Sequence, residues 1–176
     1  FPNKAVEEIA PQMVSFTTDD LELLPERKAW TNKGSYGKVL LIAGSKNMAG
    51  AALLSGTAAY KSGSGLVRIF SCEENRVILQ ELLPEAVLIT YQPERWDRSQ
   101  LETALQGKTA VAAGPGLGKS TCAGEILQTI LKNRLPKVLD ADALNLLASH
   151  PQWYKLAQDS FVVTPHPMEM SRLTGI

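Results

Sequence analysis

Gly114-Pro115-Gly116-Leu117-Gly118, followed by Lys119 and Ser120, is the stretch of this sequence best suited to chemistry. Glycines let backbone N–H groups approach a ligand closely, and a helix starting at Ser120 would aim its positive end at any anion there. The stretch is therefore a candidate phosphate or nucleotide contact. Ala113 to Ser120 also fits a relaxed Walker A spacing ending in Gly118-Lys119-Ser120. Against that stand Ala113, where the strict motif needs glycine, and Pro115, which has no N–H to offer a phosphate.

Other residues at predicted strand ends carry complementary groups. Asp140 and Asp142 alternate across the end of a strand, with Asn145 one turn further on. One carboxylate suits Mg²⁺ held through water, while Asp142 equally suits the N-cap of the next helix. His166 stands between Pro165 and Pro167, which fix its backbone, and Glu169 follows. His150, before Pro151 at a helix end, has a structural role only. Tyr36 in Lys33-Gly34-Ser35-Tyr36-Gly37 suits stacking on a base or covering the core. The tiny residues of Met48-Ala49-Gly50-Ala51-Ala52 suit either a ligand at a helix N-terminus or close helix-to-sheet packing.

To position these groups the chain must alternate strands and helices. Apolar runs predict strands at 38–43, 65–70, 86–90, 109–113, 137–140 and 161–164. Helices are expected over 49–62, with Ala51, Leu54, Ala58 and Lys61 recurring at helical spacing, and over 74–83, with Val77, Leu79 and Leu82 inward. Further helices are expected from Asp97 or Ser99 to Gln106, from Ser120 to about Asn133, over 143–149, and from Met168 to Leu173. The order implies parallel βαβ units in a doubly wound sheet covered on both faces. Its ligands belong outside the carboxyl ends of the strands, beside Gly44, Ser45 and Gly114 to Gly118. The final helix barely begins before Ile176, so uncovered apolar surface and further sequence beyond that residue are expected. Residues 1–33 are expected to be a linker or surface arm, with a short helix at Asp19–Leu24 capped by Thr17 or Thr18 and ended by Pro25.

Composition narrows the classes. The 176 residues suffice for one core, and 18 basic against 18 acidic side chains leave no global field for nucleic acid or an anionic membrane. Cys72 and Cys122 are too few for a disulfide framework or a cysteine zinc site and are expected to be reduced, buried thiols. No apolar run approaches the roughly 20 residues that span a bilayer, and no signal-peptide pattern opens the chain. A cytoplasmic protein is expected. Because it opens on Phe1, it is also expected to be a piece of a longer one.

Taken together, the motifs have a familiar order. Asn32 to Gly37, Ala43-Gly44-Ser45 with Met48 to Leu54, Gly63 to Val67, Gly114 to Gly118, Leu139 to Asn145, and Thr164 to Pro167 with Glu169 resemble the ADP- or ATP-dependent NAD(P)H-hydrate dehydratases of the ribokinase-like superfamily. The resemblance covers about residues 32–176, leaving 1–31 as linker or the tail of a preceding domain. It sets aside the Walker A alternative, because that family's glycine turn belongs to another fold. It implies an α/β ribokinase-like fold, a mostly parallel sheet with helices on both faces, lacking the C-terminal part of its domain.

The resemblance also implies an activity. ADP or ATP, with Mg²⁺, would phosphorylate the C6 hydroxyl of NAD(P)H hydrate, and loss of the phosphate would restore the nicotinamide ring. Gly50, Ala51, Gly116 and His166 would line the hydrate pocket. Gly114, Gly118, Asp140, Asn145 and Glu169 would serve the nucleotide and phosphates, with Glu169 near the metal through water. The family's catalytic Asp lies in a Gly-Thr-Gly-Asp or Gly-Ser-Gly-Asp segment absent from these residues. It is expected beyond Ile176, so the chain alone is expected to be inactive. Phe1 to Glu8 is similar to the exit of the epimerase domain in bifunctional members. The expected partners are the hydrate, an adenine nucleotide and further copies of the chain, with no nucleic acid or membrane. Two alternatives share the scaffold: a small-molecule kinase acting on a vitamin precursor, and a non-catalytic nucleotide-binding module.

Overall fold

The computed structural model describes residues 17–24, 26–157, 159 and 161–176. The chain divides into two units, Phe1–Thr31 and Asn32–Ile176. In the first, Thr18–Leu23 forms a 3₁₀ helix at whose start the Thr17 N–H donates to Asp20 Oδ2 at 2.6 Å. The similarity of Phe1 to Glu8 to an epimerase-domain exit, and the stop at Pro25, lie outside the described residues.

The second unit holds a six-stranded, wholly parallel sheet: β1 Lys38–Ile42, β2 Leu66–Cys72, β3 Val87–Tyr91, β4 Ala110–Ala113, β5 Lys137–Leu139 and β6 Phe161–Val163. Their spatial order is β3-β2-β1-β4-β5-β6. Between them run α1 Ala49–Lys61, α2 Arg76–Leu82, α3 Arg98–Leu105, α4 Thr121–Lys132 and α5 Asp142–Ser149, and α6 Pro167–Thr174 follows β6. Strand runs such as Val39 to Ile42 are continuous rather than alternating because both faces of a parallel sheet are covered. Element ends differ from the sequence expectation by one or two residues. β2 runs on to Cys72, and β5 stops at Leu139.

Two cores result. On one face Leu40, Ile42, Phe70, Val111 and Leu139 pack against the apolar stripe of α4 at Ile126, Leu127, Ile130 and Leu131. On the other, Leu41, Val67 and Ile69 meet Ala52 of α1 and Leu79 of α2. Leu41, Ala112, Val138 and Val162 lie in register along this second face. Val138 and Val162 remain 38% and 59% exposed, so apolar sheet surface is bare there.

The helical spacing of Ala51, Leu54, Ala58 and Lys61 does not mark the packed face of α1, and two of the three residues expected inward in α2 face out. Leu54 is 73% exposed and Ala58 is exposed, whereas Ala52 and Gly56 of α1 are buried. A helix of small residues carries little hydrophobic contrast, so fit decides which side packs. A methyl group on Gly56 would lie 2.7 Å from Leu83 Cδ2. In α2 only Leu79 points in, with Val77 67% and Leu82 56% exposed, because a 3₁₀ turn at Glu73–Asn75 precedes the helix and resets its phase.

Candidate active site

The strand order reverses between β1 and β4, and in a doubly wound sheet the crevice for ligands opens outside the carboxyl ends at that point. The two loops that leave it are bonded to each other. Gly44 N–H donates to the Pro115 carbonyl at 3.0 Å, Ser45 N–H to that of Gly116 at 2.5 Å, and Gly114 N–H to that of Ile42 at 3.1 Å. A methyl group on Gly116, where φ is +59°, would lie 2.8 Å from Ala51 Cβ. The glycine turn therefore sits directly on the start of α1.

Behind the first loop is a buried polar clamp. Asn75, 3% exposed, directs Nδ2 to the carbonyls of Gly44 and Ser45 and to Ser71 Oγ, each at 3.0 Å. Ser71 Oγ donates to the Gly44 carbonyl at 2.8 Å. Neither residue belongs to a recognisable motif, and the sequence offered no signal for either.

The crevice offers backbone N–H donors. Ser120 caps α4 as expected, its Oγ accepting the Ala123 N–H at 3.2 Å. Leu117 N–H goes to the Gly114 carbonyl at 3.0 Å and Gly118 N–H to Asp142 Oδ2 at 2.9 Å. Among the described residues, no acceptor faces the N–H groups of Gly116, Lys119, Ser120, Thr121 or Cys122, nor those of Ala49 and Gly50 at the start of α1. Two helix N-termini thus present free N–H groups on either side of the switch point, a setting for phosphate or another anion. Gly50 faces open space, so a ligand can approach it.

The acidic groups line the next strand ends. Asp140 is half-buried, and no protein donor meets its carboxylate among the described residues. Asp142 is the first residue of α5 and not its N-cap: that position is Ala141, whose side chain cannot cap. The tight turn after β5, with Ala141 at φ +48° and ψ −116°, carries Asp142 into the helix and over to the glycine turn. Asn145 Nδ2 approaches Asp142 Oδ1 at 3.4 Å, and Asn145 Oδ1 accepts from Arg172 Nη1 of α6 at 2.9 Å.

At the head of α6, His166 and Glu169 form a reciprocal cap. His166 N–H donates to Glu169 Oε2 at 3.0 Å, Glu169 N–H approaches His166 Nδ1 at 3.4 Å, and His166 Nε2 lies 3.3 Å from Glu169 Oε1. Accepting at Nδ1 requires the ring proton on Nε2, which then points at the carboxylate. Glu169 is 7% exposed, while His166 is open to solvent. His150 stacks on Trp153 at 4.0 Å, away from these groups. Tyr36 lies at the amino ends of the strands, its carbonyl accepting Gly65 N–H at 2.9 Å, so it does not reach the crevice. The hollow of about 260 Å³ beside Lys38, Arg68 and Lys108 is at that same far end.

Residues 39–176 match the profile of the NAD(P)H-hydrate dehydratase family. The chain belongs to this family. It is 44% identical over 154 residues to the bifunctional NAD(P)H-hydrate repair enzyme Nnr of Coxiella burnetii, a match covering 88% of this chain and 30% of that protein. It is 39% identical over 154 residues to the ADP-dependent (S)-NAD(P)H-hydrate dehydratase of Lactiplantibacillus plantarum, covering 86% of this chain and 53% of that one. The chain thus spans about half of such a single-activity relative, and less of a bifunctional one.

The family's fold is matched in solved structures too. A ribokinase-like superfamily protein of Enterococcus faecalis superposes with a TM-score of 0.78 at 27% identity, over 91% of this chain and 56% of that one. The ADP/ATP-dependent NAD(P)H-hydrate dehydratase of Bacillus subtilis, co-crystallised with ATP and Mg²⁺, gives 0.67 at 33% identity, over 86% and 52%. The sheet is ribokinase-like, as the motifs implied, and it represents part of the family domain. Among the described residues no helix is long and apolar enough to cross a membrane.

Proposed function

We propose that this chain supplies the hydrate-binding and phosphate-facing half of a nucleotide-dependent NAD(P)H-hydrate dehydratase. The observation that carries the reading is the pair of helix N-termini, α1 and α4, whose free N–H groups flank the switch point. Gly50, Ala51, Gly116 and His166 would line the hydrate pocket around the start of α1. Gly114, Gly118, Asn145, Asp140 and Glu169 would border the phosphates of ADP or ATP. Of these, Gly118 and Asn145 act through Asp142, and Gly114 through the shape of the turn.

Asp140, half-buried and free of protein donors, is suited to hold Mg²⁺ through water, with Glu169 as the second carboxylate. Bound there, the ion would neutralise charge on the transferring phosphoryl group. The N–H groups of Lys119 to Cys122 would hold the phosphate oxygens while the C6 hydroxyl of the hydrate takes the phosphoryl group. Departure of that phosphate returns NAD(P)H. The family's Gly-Thr-Gly-Asp-type segment is absent from the 176 residues, so binding without turnover is the expected behaviour of this chain.

The cytoplasm is the compartment we assign, and the balanced charge supports small-molecule partners over nucleic acid or membrane. Exposed Leu54 and Val162 support a homo-oligomer, which sedimentation would register. The deciding experiment titrates the chain with NADPH hydrate, NADPH and ADP, and separately follows recovery of NADPH. Saturable binding of the hydrate with no recovery is expected. Failure to bind the hydrate, or repair by residues 1–176 alone, overturns the assignment.

A further inference from the structure

We infer that Asp142 is a positioning residue that shapes the glycine turn for anion binding, and that it does so as a hydrogen-bond acceptor and not as a charge. The inference rests on the reading that phosphates bind beside α4. Asp142 Oδ2 reaches across from α5 to accept the Gly118 N–H at 2.9 Å, joining residues 24 apart in sequence. This bond is half-buried, where competition from water is reduced. The bond withdraws Gly118 from the set of free donors and leaves Gly116 and Lys119 to Cys122 to face the crevice.

Without it the segment between Leu117 and the Ser120 cap has no hydrogen bond to the rest of the fold among the described residues. Asp142 is itself held from two sides. Its backbone follows the strained Ala141, and Asn145, braced by Arg172, approaches its other oxygen at 3.4 Å. An acid this close to a phosphate site would otherwise be a poor choice, because its charge repels the ligand. Its retention on a backbone N–H explains the residue as a fixed acceptor.

Charge and position predict opposite results, which makes the test sharp. Asp142→Asn removes the charge but keeps an amide oxygen able to accept from Gly118, and Asp142→Ala removes both. The chain and both variants are titrated calorimetrically with ADP and with inorganic phosphate. Hydrogen exchange of the Gly118 amide is measured in each by NMR. Expected are affinities for the Asn variant equal to or above the parent's. For the Ala variant, binding is expected to weaken by roughly tenfold, with faster Gly118 exchange, while hydrate affinity stays within about twofold.

If both variants bind ADP and phosphate more tightly, Asp142 acts only through its charge and the inference fails. It fails as well if the parent binds neither anion, or if Gly118 exchange is the same in all three proteins. Should the Ala variant not fold, the Asn variant still decides: loss of affinity there overturns the inference. Hydrate binding is scored separately, so failure of the dehydratase assignment does not masquerade as failure of the positioning role.

Discussion

A methyl group placed on Gly114 would lie 1.8 Å from the carbonyl oxygen of Asp140. No side chain can yield here, since the obstacle is backbone, and Gly114 also sits at φ +127°, a conformation that L-residues rarely adopt. The contact locks the glycine turn after β4 against the turn after β5. Gly114→Ala is therefore expected to destabilise the fold by about 3 kcal/mol or more, combining overpacking with backbone strain. Urea denaturation followed by circular dichroism measures this, and a loss under 1 kcal/mol on the same scale would refute the lock.

Ala141 makes the converse case. At φ +48° and ψ −116° it occupies a region suited to glycine, and such outliers cost about 1–3 kcal/mol. Glycine there relieves the strain but adds freedom to the unfolded chain, which offsets part of the gain. Ala141→Gly should stabilise by about 1 kcal/mol. A lower melting temperature for the variant would show that the turn is not strained.

The alternation of strands and helices was legible because parallel strands buried on both faces are continuous apolar runs ended by glycine or proline. Strand-end positions then placed Gly44, Gly114 to Gly118, Asp140 and His166 along one edge of the sheet. The side of α1 that packs was not legible. Ala52 and Gly56 are inward because they are small, while the more hydrophobic Leu54 faces out, so fit outranked hydropathy. Asp142 was legible as a strand-end acid but not as the partner of Gly118, because that pairing depends on the β5 turn. Ser71 and Asn75 were invisible because they serve the backbone of a loop some 30 residues away.

Asn75 ties the first loop to β2 and α2 from behind. Its Nδ2 serves two backbone carbonyls and one hydroxyl, with the bonds to Gly44 and Ser71 buried and that to Ser45 half-buried. Asn75→Ala removes three bonds, although Ser71 Oγ and the Cys72 N–H still serve the Gly44 carbonyl and the Met48 N–H that of Ser45, so the expected cost is about 1–2 kcal/mol. The bonded loops at Gly44–Pro115 and Ser45–Gly116 should loosen with it, visible as faster exchange of the Gly44 and Ser45 amides. Unchanged exchange with unchanged stability would remove Asn75 from the clamp.

The two cysteines make the fold less stable at alkaline pH. Burial pushes the Cys72 thiol up to about 11, helped by its hydrogen bond to Glu74 Oε2 at 2.7 Å. Burial likewise pushes Cys122 up to about 11, with Glu125 adding to the effect. A thiol whose folded value exceeds the ordinary 9.0 keeps its proton longer in the native state than in the unfolded one. Its contribution is complete below pH 9.0 and is lost as the pH rises through about 11. Burial also lowers Lys137 and raises Tyr91, and both add their own alkaline linkage, so the thiols must be isolated by difference. Replacing both cysteines with alanine should flatten the fall of unfolding free energy across that window, whatever it does to stability at neutral pH. An identical slope in the double variant would mean that neither thiol is shielded in the native protein.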